Sequence, residues 1–161
     1  MSWALIRVDD RLVHGQVVVA WGGRLHPRRI VIADDPAAGS AWERDLLTTG
    51  APGVEISVVT LAEAAALYAG EAAAEGAAFL VVRDLAGALE LVRRGVRPDR
   101  INLGGLHYAA GKEKVNDYLY LDDADRAAVR ELRAAGVALE VQDVPSTRPV
   151  KLAELGVEEA R

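Results

Sequence analysis

Short runs of apolar, β-branched residues recur along the chain and predict the strands of a sheet. Some are almost continuously apolar, as at residues 30–33 and 79–82, which is typical of parallel strands buried on both faces. The runs lie at residues 3–8, 29–33, 54–59, 78–82, 100–103, 118–121 and 137–141. We expect the first run near the centre of the sheet. The run at 118–121 is expected near an edge, where antiparallel pairing is an open possibility.

Helical patterns separate these runs at residues 14–23, 40–49, 60–69, 84–94 and 122–135. Their starts carry capping residues: Thr60 with Glu63 forms a capping-box pattern, and Asp84 and Asp122 begin two other segments. This alternation predicts an α/β fold, with one domain over residues 1–161. We expect an open, twisted, mostly parallel sheet of about six to seven strands with helices on both faces. The last twenty residues are expected to wrap the surface.

Composition and charge exclude several classes of function. The chain has no Cys, which excludes a disulfide framework, a thiolate metal site and a cysteine nucleophile. The net charge of −5 argues against a nucleic-acid-binding surface. No apolar run approaches the roughly 18–20 residues that span a bilayer, and the N-terminus lacks a signal-peptide pattern. We therefore expect a cytoplasmic protein.

The loop after the first strand holds the densest group of side chains that can carry chemistry. It reads DDRLVHGQ from residue 9 to residue 16 and leads from a strand into a helix, where ligands of α/β sheets bind. Helix N-terminal amides attract anions, so His14 is a candidate nucleophile or base facing a phosphoryl group, with Arg11 as a two-pronged phosphate contact. Gly15 leaves room for a bulky donor. A structural role, with an aspartate as helix cap and a half-buried His14, stays open.

Other polar positions at the same edge of the sheet are candidates for the rim of this site. They are Asp34, Gly104, Gly105 and His107. The glycine spacing does not match a dinucleotide-binding or P-loop motif, so we expect no bound nucleotide. Capping of a helix is the simpler role for Asp34. His26 precedes the second strand, on the opposite edge, and is interpreted as structural.

The first loop resembles the signature of a known family. The stretch RVDDRLVHGQV at residues 7–17 is similar to that of the IIB components of the mannose/fructose/sorbose family of the phosphoenolpyruvate-dependent sugar phosphotransferase system (PTS). Further similar segments follow in the family's order: IADD at 32–35, APGV at 51–54, NLGGLHY at 102–108 with GK at 111–112, and VPS at 144–146. The resemblance covers residues 3 to 152.

The resemblance implies a phosphocarrier enzyme, a protein-Nπ-phosphohistidine–sugar phosphotransferase. His14 would be phosphorylated on Nδ1 by a IIA component. It would pass the group to a hexose during uptake through the membrane components IIC and IID. Arg11 would stabilise the phosphate, and Asp9, Asp10 and Gln16 would support and orient the loop. A shuttle of this kind requires an exposed histidine.

The same resemblance implies no metal, nucleotide or other cofactor, and a location at the inner face of the membrane through the permease components. The sugar, the oligomeric state and the aspartate that contacts His14 stay open. An alternative is a regulatory phosphoprotein that reports phosphorylation without moving sugar. A third hypothesis is a metal-dependent enzyme that uses Asp9, Asp10, His14 and His107.

Overall fold

A computed structural model describes residues 2–70 and 77–157 of the chain. The strands are β1 (Ser2–Asp9), β2 (Arg29–Ala33), β3 (Glu55–Val59), β4 (Ala77–Val82), β5 (Arg100–Gly105), β6 (Glu113–Asn116), β7 (Leu119–Leu121), β8 (Ala138–Val141) and β9 (Val150–Lys151). Within the described residues the main sheet has seven strands in the order β3-β2-β4-β1-β5-β8-β9, and pairing is parallel except between β8 and β9. The predicted single-domain α/β fold is confirmed, and β1 lies at the centre.

Two strand predictions need correction at the edge of the molecule. Strand β7 does pair antiparallel, but with β6 in a separate two-stranded sheet, and not at an edge of the main sheet as predicted. Its link to the main sheet is the bridge between Leu106 and Leu119. The C-terminal segment does not merely wrap the surface. Strand β9 is the outermost strand of the main sheet, beside β8, and Leu152 and Val157 are buried in the core.

The helices are α1 (Gln16–Trp21 in π-helical form, continuing as Gly22–Leu25), α2 (Asp35–Ala38), α3 (Ala41–Thr48), α4 (Leu61–Gly70), α5 (Leu85–Arg93) and α6 (Asp123–Ala134), with a 3-10 helix at Leu152–Leu155. Polar caps begin α2 to α6, whereas α1 follows Gly15 and has no side-chain cap. Asp84 accepts a hydrogen bond from the amide of Gly87 at 2.7 Å, and Asp122 forms a capping box with Asp125. No described helix is long and apolar enough to cross a membrane.

Two apolar clusters cover the two faces of the sheet. One packs α4, α5 and α6 against side chains such as Val8 of β1, and the other packs α1 and the first loop against Leu5. Because successive side chains of a strand point to opposite faces, Arg7 and Asp9 share the face of Leu5. The carboxyl ends of β1 and β5 lie side by side, with Asp9 paired to Gly105, and this junction positions the loop that carries His14.

Candidate active site

The first loop turns sharply at the end of β1. The amide of Leu12 donates to the carbonyl of Asp9 at 2.9 Å, and Leu12 has a left-handed backbone (φ 59°) with a buried side chain. On the other side, the amide of Asp10 donates to the carbonyl of Gly105 at 2.9 Å. Burial of the Leu12 side chain thus fixes a backbone conformation that non-glycine residues rarely adopt.

Asp9 is the aspartate that contacts His14. His14 Nε2 lies 2.8 Å from Asp9 Oδ2, and the amide of Gln16 points at His14 Nδ1 from 3.3 Å. Since a carboxylate accepts and an amide donates, Nε2 carries the ring proton and Nδ1 presents a lone pair. The His14 side chain is 15% exposed, less than expected, because Asp9 is fully buried and draws the ring inward.

Arg11 binds the same carboxylate and reaches the start of α1. Its Nε lies 3.2 Å from Asp9 Oδ1 and its Nη2 lies 3.3 Å from Asp9 Oδ2, while the same Nη2 donates to Gln16 Oε1 at 3.0 Å. Burial would raise the pKa of Asp9, but the hydrogen bonds from His14 and Arg11 outweigh burial and lower it to about 2. Asp9 is therefore a permanent anion that binds both groups.

Arg7 is a functional candidate that sequence reasoning missed. Its guanidinium is fully buried and donates to Asp9 Oδ2 at 3.3 Å, to Asn102 Oδ1, and to the carbonyls of Gln142 and Asp143 at 2.9 Å. Burial lowers the pKa of Arg7, against the opposing effect of Asp9. An arginine between two apolar residues of a central strand is the signal that could have identified it.

Gly104 makes room for this buried arginine. A Cβ on Gly104 would lie 1.8 Å from Arg7 Cζ, so only glycine fits beside the guanidinium. The sequence predicts Gly104 at the site rim, but it is buried in β5. Its effect on the site is indirect and passes through Arg7 to Asp9.

Asp10 and His107 form a second aspartate–histidine pair beside the first. Asp10 Oδ1 lies 2.7 Å from His107 Nδ1, and Asp10 Oδ2 accepts from the backbone amide of His107 at 2.7 Å. A Cβ on Gly105 would lie 3.1 Å from His107 Cε1, 3.4 Å from Asp9 Oδ1 and 3.5 Å from Arg11 Nη2. His107 thus lies at the rim next to Arg11, whereas Gly105, also predicted at the rim, is buried at the end of β5.

Two other predicted positions lie differently. Asp34 caps α2 through the amide of Ala37 at 3.0 Å and receives a two-pronged contact from Arg83 at 3.1 and 3.0 Å. Strand β4 separates its strand from β1, so this carboxylate is bound to Arg83 and not to the His14 group. Gly15 is exposed at the start of α1, and a Cβ there would meet open space.

The arrangement suits an anionic reactant. His14 Nδ1 carries a nucleophilic lone pair that accepts from the backbone amide of Gln16, with the guanidinium of Arg11 nearby, and both of these donors can neutralise negative charge. The two arginines that contact Asp9 disfavour a cation there. The described residues hold no cluster of three or more His, Asp or Glu side chains that could bind a metal ion.

Comparisons with known proteins agree with this chemistry. A family model described as "PTS system sorbose subfamily IIB component" matches residues 3–161. The sorbose-specific EIIB component of Klebsiella pneumoniae is 34% identical over 153 residues, covering 94% of this chain and 93% of that protein. The N-acetylgalactosamine-specific phosphotransferase enzyme IIB component 2 of Escherichia coli (strain K12) is 36% identical over 152 residues, covering 94% and 96%. The mannose-specific EIIAB component of that strain is 34% identical over 156 residues, which are 96% of this chain and 48% of that longer protein.

Solved structures agree as well. The IIBSor domain of the sorbose permease from Klebsiella pneumoniae superposes with a TM-score of 0.90 at 34% identity, covering 99% of each chain. The N-acetylgalactosamine-specific IIB component 1 from Escherichia coli superposes with a TM-score of 0.85 at 31% identity, covering 92% of this chain and 97% of that one. The chain therefore belongs to the sorbose subfamily of PTS IIB components, a family of phosphotransferases of sugar uptake.

Proposed function

We propose that this IIB component carries a phosphoryl group on Nδ1 of His14. The group comes from a phosphohistidine on a IIA component and passes to a hexose as the sugar enters through IIC and IID membrane components. The observation that carries the proposal is the 2.8 Å contact between His14 Nε2 and Asp9 Oδ2, which leaves Nδ1 as the nucleophile. The chain has no Cys that could serve instead.

In the acceptance step, the lone pair of His14 Nδ1 forms a bond to phosphorus while the bond to the donor nitrogen of IIA breaks. The His14 ring keeps its proton on Nε2 and gains positive charge. The carboxylate of Asp9 stabilises that charge at 2.8 Å, in a buried environment where the interaction is strong. The pKa of Asp9, about 2, keeps this carboxylate ionised throughout the reaction.

The transferring phosphoryl oxygens need donors on the Nδ1 side of the ring. The amide of Gln16 now points at Nδ1, and it becomes available to a phosphoryl oxygen once that lone pair is used. Arg11 is 38% exposed, and its contacts with Asp9 and Gln16 use Nε and Nη2, so its remaining nitrogen, Nη1, can donate to the same oxygens. Gly15 leaves the approach open, and Asp10 anchors the loop to β5 through His107.

The names of the relatives support the partners and the substrate class. The mannose-specific relative is an EIIAB component, about twice the length of this chain, so a IIA protein is the expected donor. The relatives are named for sorbose, mannose and N-acetylgalactosamine, and these names support a hexose as the acceptor. Docking on IIC and IID would hold the protein at the inner face of the membrane.

Phosphorylation of the purified protein tests the proposal. Incubation with phosphoenolpyruvate and the upstream phosphotransfer proteins, including a IIA from the same organism, is expected to add one acid-labile phosphate to His14, detected by mass spectrometry. The His14→Ala variant should lose at least about a thousandfold in acceptance and keep its fold. The matched control is His26→Ala, because His26 is exposed at the opposite edge of the sheet. Phosphate on the His14→Ala protein contradicts the proposal.

Formation of sugar phosphate separates the transport role from a regulatory one. Phosphorylated protein, mixed with membrane vesicles that carry IIC and IID of the same organism, should produce a hexose phosphate. A protein that is phosphorylated on His14 but yields no sugar phosphate with any hexose would be the regulatory phosphoprotein.

A further inference from the structure

The second half of the proposed reaction needs a proton acceptor that the first half does not. A sugar hydroxyl that attacks phosphorus must lose its proton, whereas the nitrogen that attacks during acceptance has no proton to lose. The base must therefore lie near His14 and hold an unused lone pair. Its assignment rests on the proposed function, because the base acts only in the transfer of phosphate from His14 to the sugar.

The pair formed by Asp10 and His107 presents such a lone pair. Asp10 Oδ1 accepts at 2.7 Å from His107 Nδ1, so the proton of the neutral ring sits on Nδ1 and Nε2 is the basic nitrogen. Asp10 Oδ2 also accepts at 2.7 Å from the backbone amide of His107, and this second bond fixes the orientation. The His107 side chain is 46% exposed, so a substrate can reach it. An aspartate that orients an imidazole in this way is the arrangement used by general bases that activate hydroxyl groups.

The pair lies next to the group that would hold the phosphate. His107 Cε1 and Arg11 Nη2 are 3.1 and 3.5 Å from a single point, the position of a Cβ on Gly105. Arg11 Nη2 and His14 Nε2 also share the same oxygen, Asp9 Oδ2, at 3.3 and 2.8 Å. Arg11 is therefore a close neighbour of both imidazoles, so a phosphoryl group bound by Arg11 would lie near both rings.

The other aspartates predicted at the site are already bound to positive groups. Asp9 accepts from Arg7, Arg11 and His14. Asp34 is bound by Arg83. Among the carboxylates and imidazoles of the predicted site residues, His107 Nε2 is the basic atom that no hydrogen bond or ion pair within the described residues occupies once His14 Nδ1 carries phosphate.

We propose that His107, oriented by Asp10, is the general base of phosphoryl transfer from His14 to the sugar. The O–H bond of the sugar hydroxyl breaks and its proton moves to His107 Nε2, while the oxygen forms a bond to phosphorus. The bond from phosphorus to His14 Nδ1 breaks and its electron pair returns to the ring as a lone pair. His14 is then neutral, with its proton still on Nε2 beside Asp9. The His107 imidazolium, stabilised by Asp10, releases its proton to solvent.

A single-turnover experiment separates the two half-reactions. The protein is loaded with radioactive phosphate from phosphoenolpyruvate through IIA, and the loading rate is recorded. The loaded protein is then mixed with vesicles carrying IIC and IID of the same organism, with sorbose, mannose or N-acetylgalactosamine, and sugar phosphate is followed over time. The variants are His107→Gln and Asp10→Asn, and the matched control is His26→Gln, a histidine at the opposite edge of the sheet.

For His107→Gln we expect transfer to the sugar to slow about a hundredfold, a typical contribution of a general base, with a far smaller change in the loading rate. Asp10→Asn should slow transfer less, about tenfold, because the ring remains but loses its orienting charge. His26→Gln should behave as wild type in both steps. The loading rate of each variant also reports that it is folded.

The possible results separate the general-base role of His107 from the phosphorylation of His14. Equal slowing of loading and transfer in His107→Gln would assign a general structural role to His107 and overturn the proposal, as would unchanged transfer. Wild-type protein that loads on His14 but gives no sugar phosphate would overturn the general base and leave His14 phosphorylation intact. Wild-type protein that takes no phosphate would overturn the proposed function itself.

Discussion

Asp9 and Asp10 are neighbours in the chain, and each holds a histidine, yet the two pairs differ in burial and in chemistry. Asp9 is fully buried and is shared among Arg7, Arg11 and His14. Asp10 is 30% exposed and binds His107, whose side chain is 46% exposed. In the first pair the ring of His14 carries its proton on Nε2, and in the second pair the ring of His107 carries its proton on Nδ1. Asp9 therefore supplies a fixed negative charge inside the protein, whereas Asp10 lies where a ligand can contact it and its histidine.

The alternation of side chains at a strand end produces this difference. Asp9 is the last residue of β1 and points to the face of Arg7, and Asp10 begins the loop and points to the rim. The neighbouring strand repeats the pattern, since Gly104 faces Arg7 while Gly105 faces His107. Two identical neighbouring residues thus lie in different environments, one buried beside Arg7 and the other next to His107. The same substitution made at each of the two positions measures how far these environments differ.

The largest expected contrast is between the two glycines. Gly104→Ala would place a Cβ 1.8 Å from Arg7 Cζ, and the buried guanidinium cannot move away, so the variant should lose at least about 3 kcal/mol of unfolding free energy. Gly105→Ala would place its Cβ 3.1 Å from His107 Cε1, and this half-exposed side chain can shift by a few tenths of an ångström together with Asp10, so the loss should stay below about 1 kcal/mol. Urea unfolding measures both, and equal losses would contradict the contrast.

The two aspartates should also differ in their contribution to stability. Asp9→Asn removes the carboxylate that Arg7 and Arg11 both contact and should cost about 3 kcal/mol of unfolding free energy. Asp10→Asn breaks an exposed pair in high dielectric and should cost less than about 1 kcal/mol. Denaturant unfolding at neutral pH measures the loss of unfolding free energy in both variants. A costly Asp10→Asn would mean that the rim pair is as structural as the buried one.

Acid should weaken the buried pair in a predictable window. The pKa of Asp9 is lowered from 3.8 to about 2, so its ionised form stabilises the folded state above about pH 4. That contribution, about 2 kcal/mol, is lost as the pH falls from 4 through 2. The difference in unfolding free energy between wild type and Asp9→Asn should shrink by this amount between pH 5 and pH 2. A constant difference would show that Asp9 is not the group that titrates.

The smallest expected effect concerns Arg11. Arg11→Lys keeps the charge but loses the planar fork that spans both oxygens of Asp9, so loading of phosphate on His14 should slow about tenfold. Arg83→Lys is the matched control, because Arg83 makes the same two-pronged contact with Asp34 away from His14, and its loading rate should equal that of wild type. Equal rates for Arg11→Lys and wild type would remove Arg11 from the phosphate site.

Much of the fold follows from local patterns. The long strands are apolar runs, and the longer helices begin at capping residues such as Asp84 and Asp122, so the sequence predicts them within one or two residues. Strands β6 and β9 were missed because they are short and contain polar or charged residues that read as loop. Their pairing depends on contacts with distant segments, which no local pattern contains.

The sequence predicts that His14, Arg11 and an aspartate lie together, but it does not predict their contacts. His14, Arg11 and Asp9 do come together, but the choice between Asp9 and Asp10 depends on the phase of strand β1, which is fixed by packing of the whole sheet. Arg7 was overlooked because an arginine ordinarily lies at the surface. It is buried here because carbonyls of the C-terminal segment, about 135 residues away in sequence, accept its hydrogen bonds.

The left-handed backbone at Leu12 has a consequence for the speed of exchange between partners. Such a conformation costs a non-glycine residue about 1–2 kcal/mol, and burial of its side chain offsets the cost while the chain folds. The loop is therefore already ordered before any partner arrives, and binding does not have to order it. A partner that binds through a small contact area, and so dissociates quickly, can then still place its phosphate donor accurately on His14. This favours rapid turnover of partners over long-lived complexes.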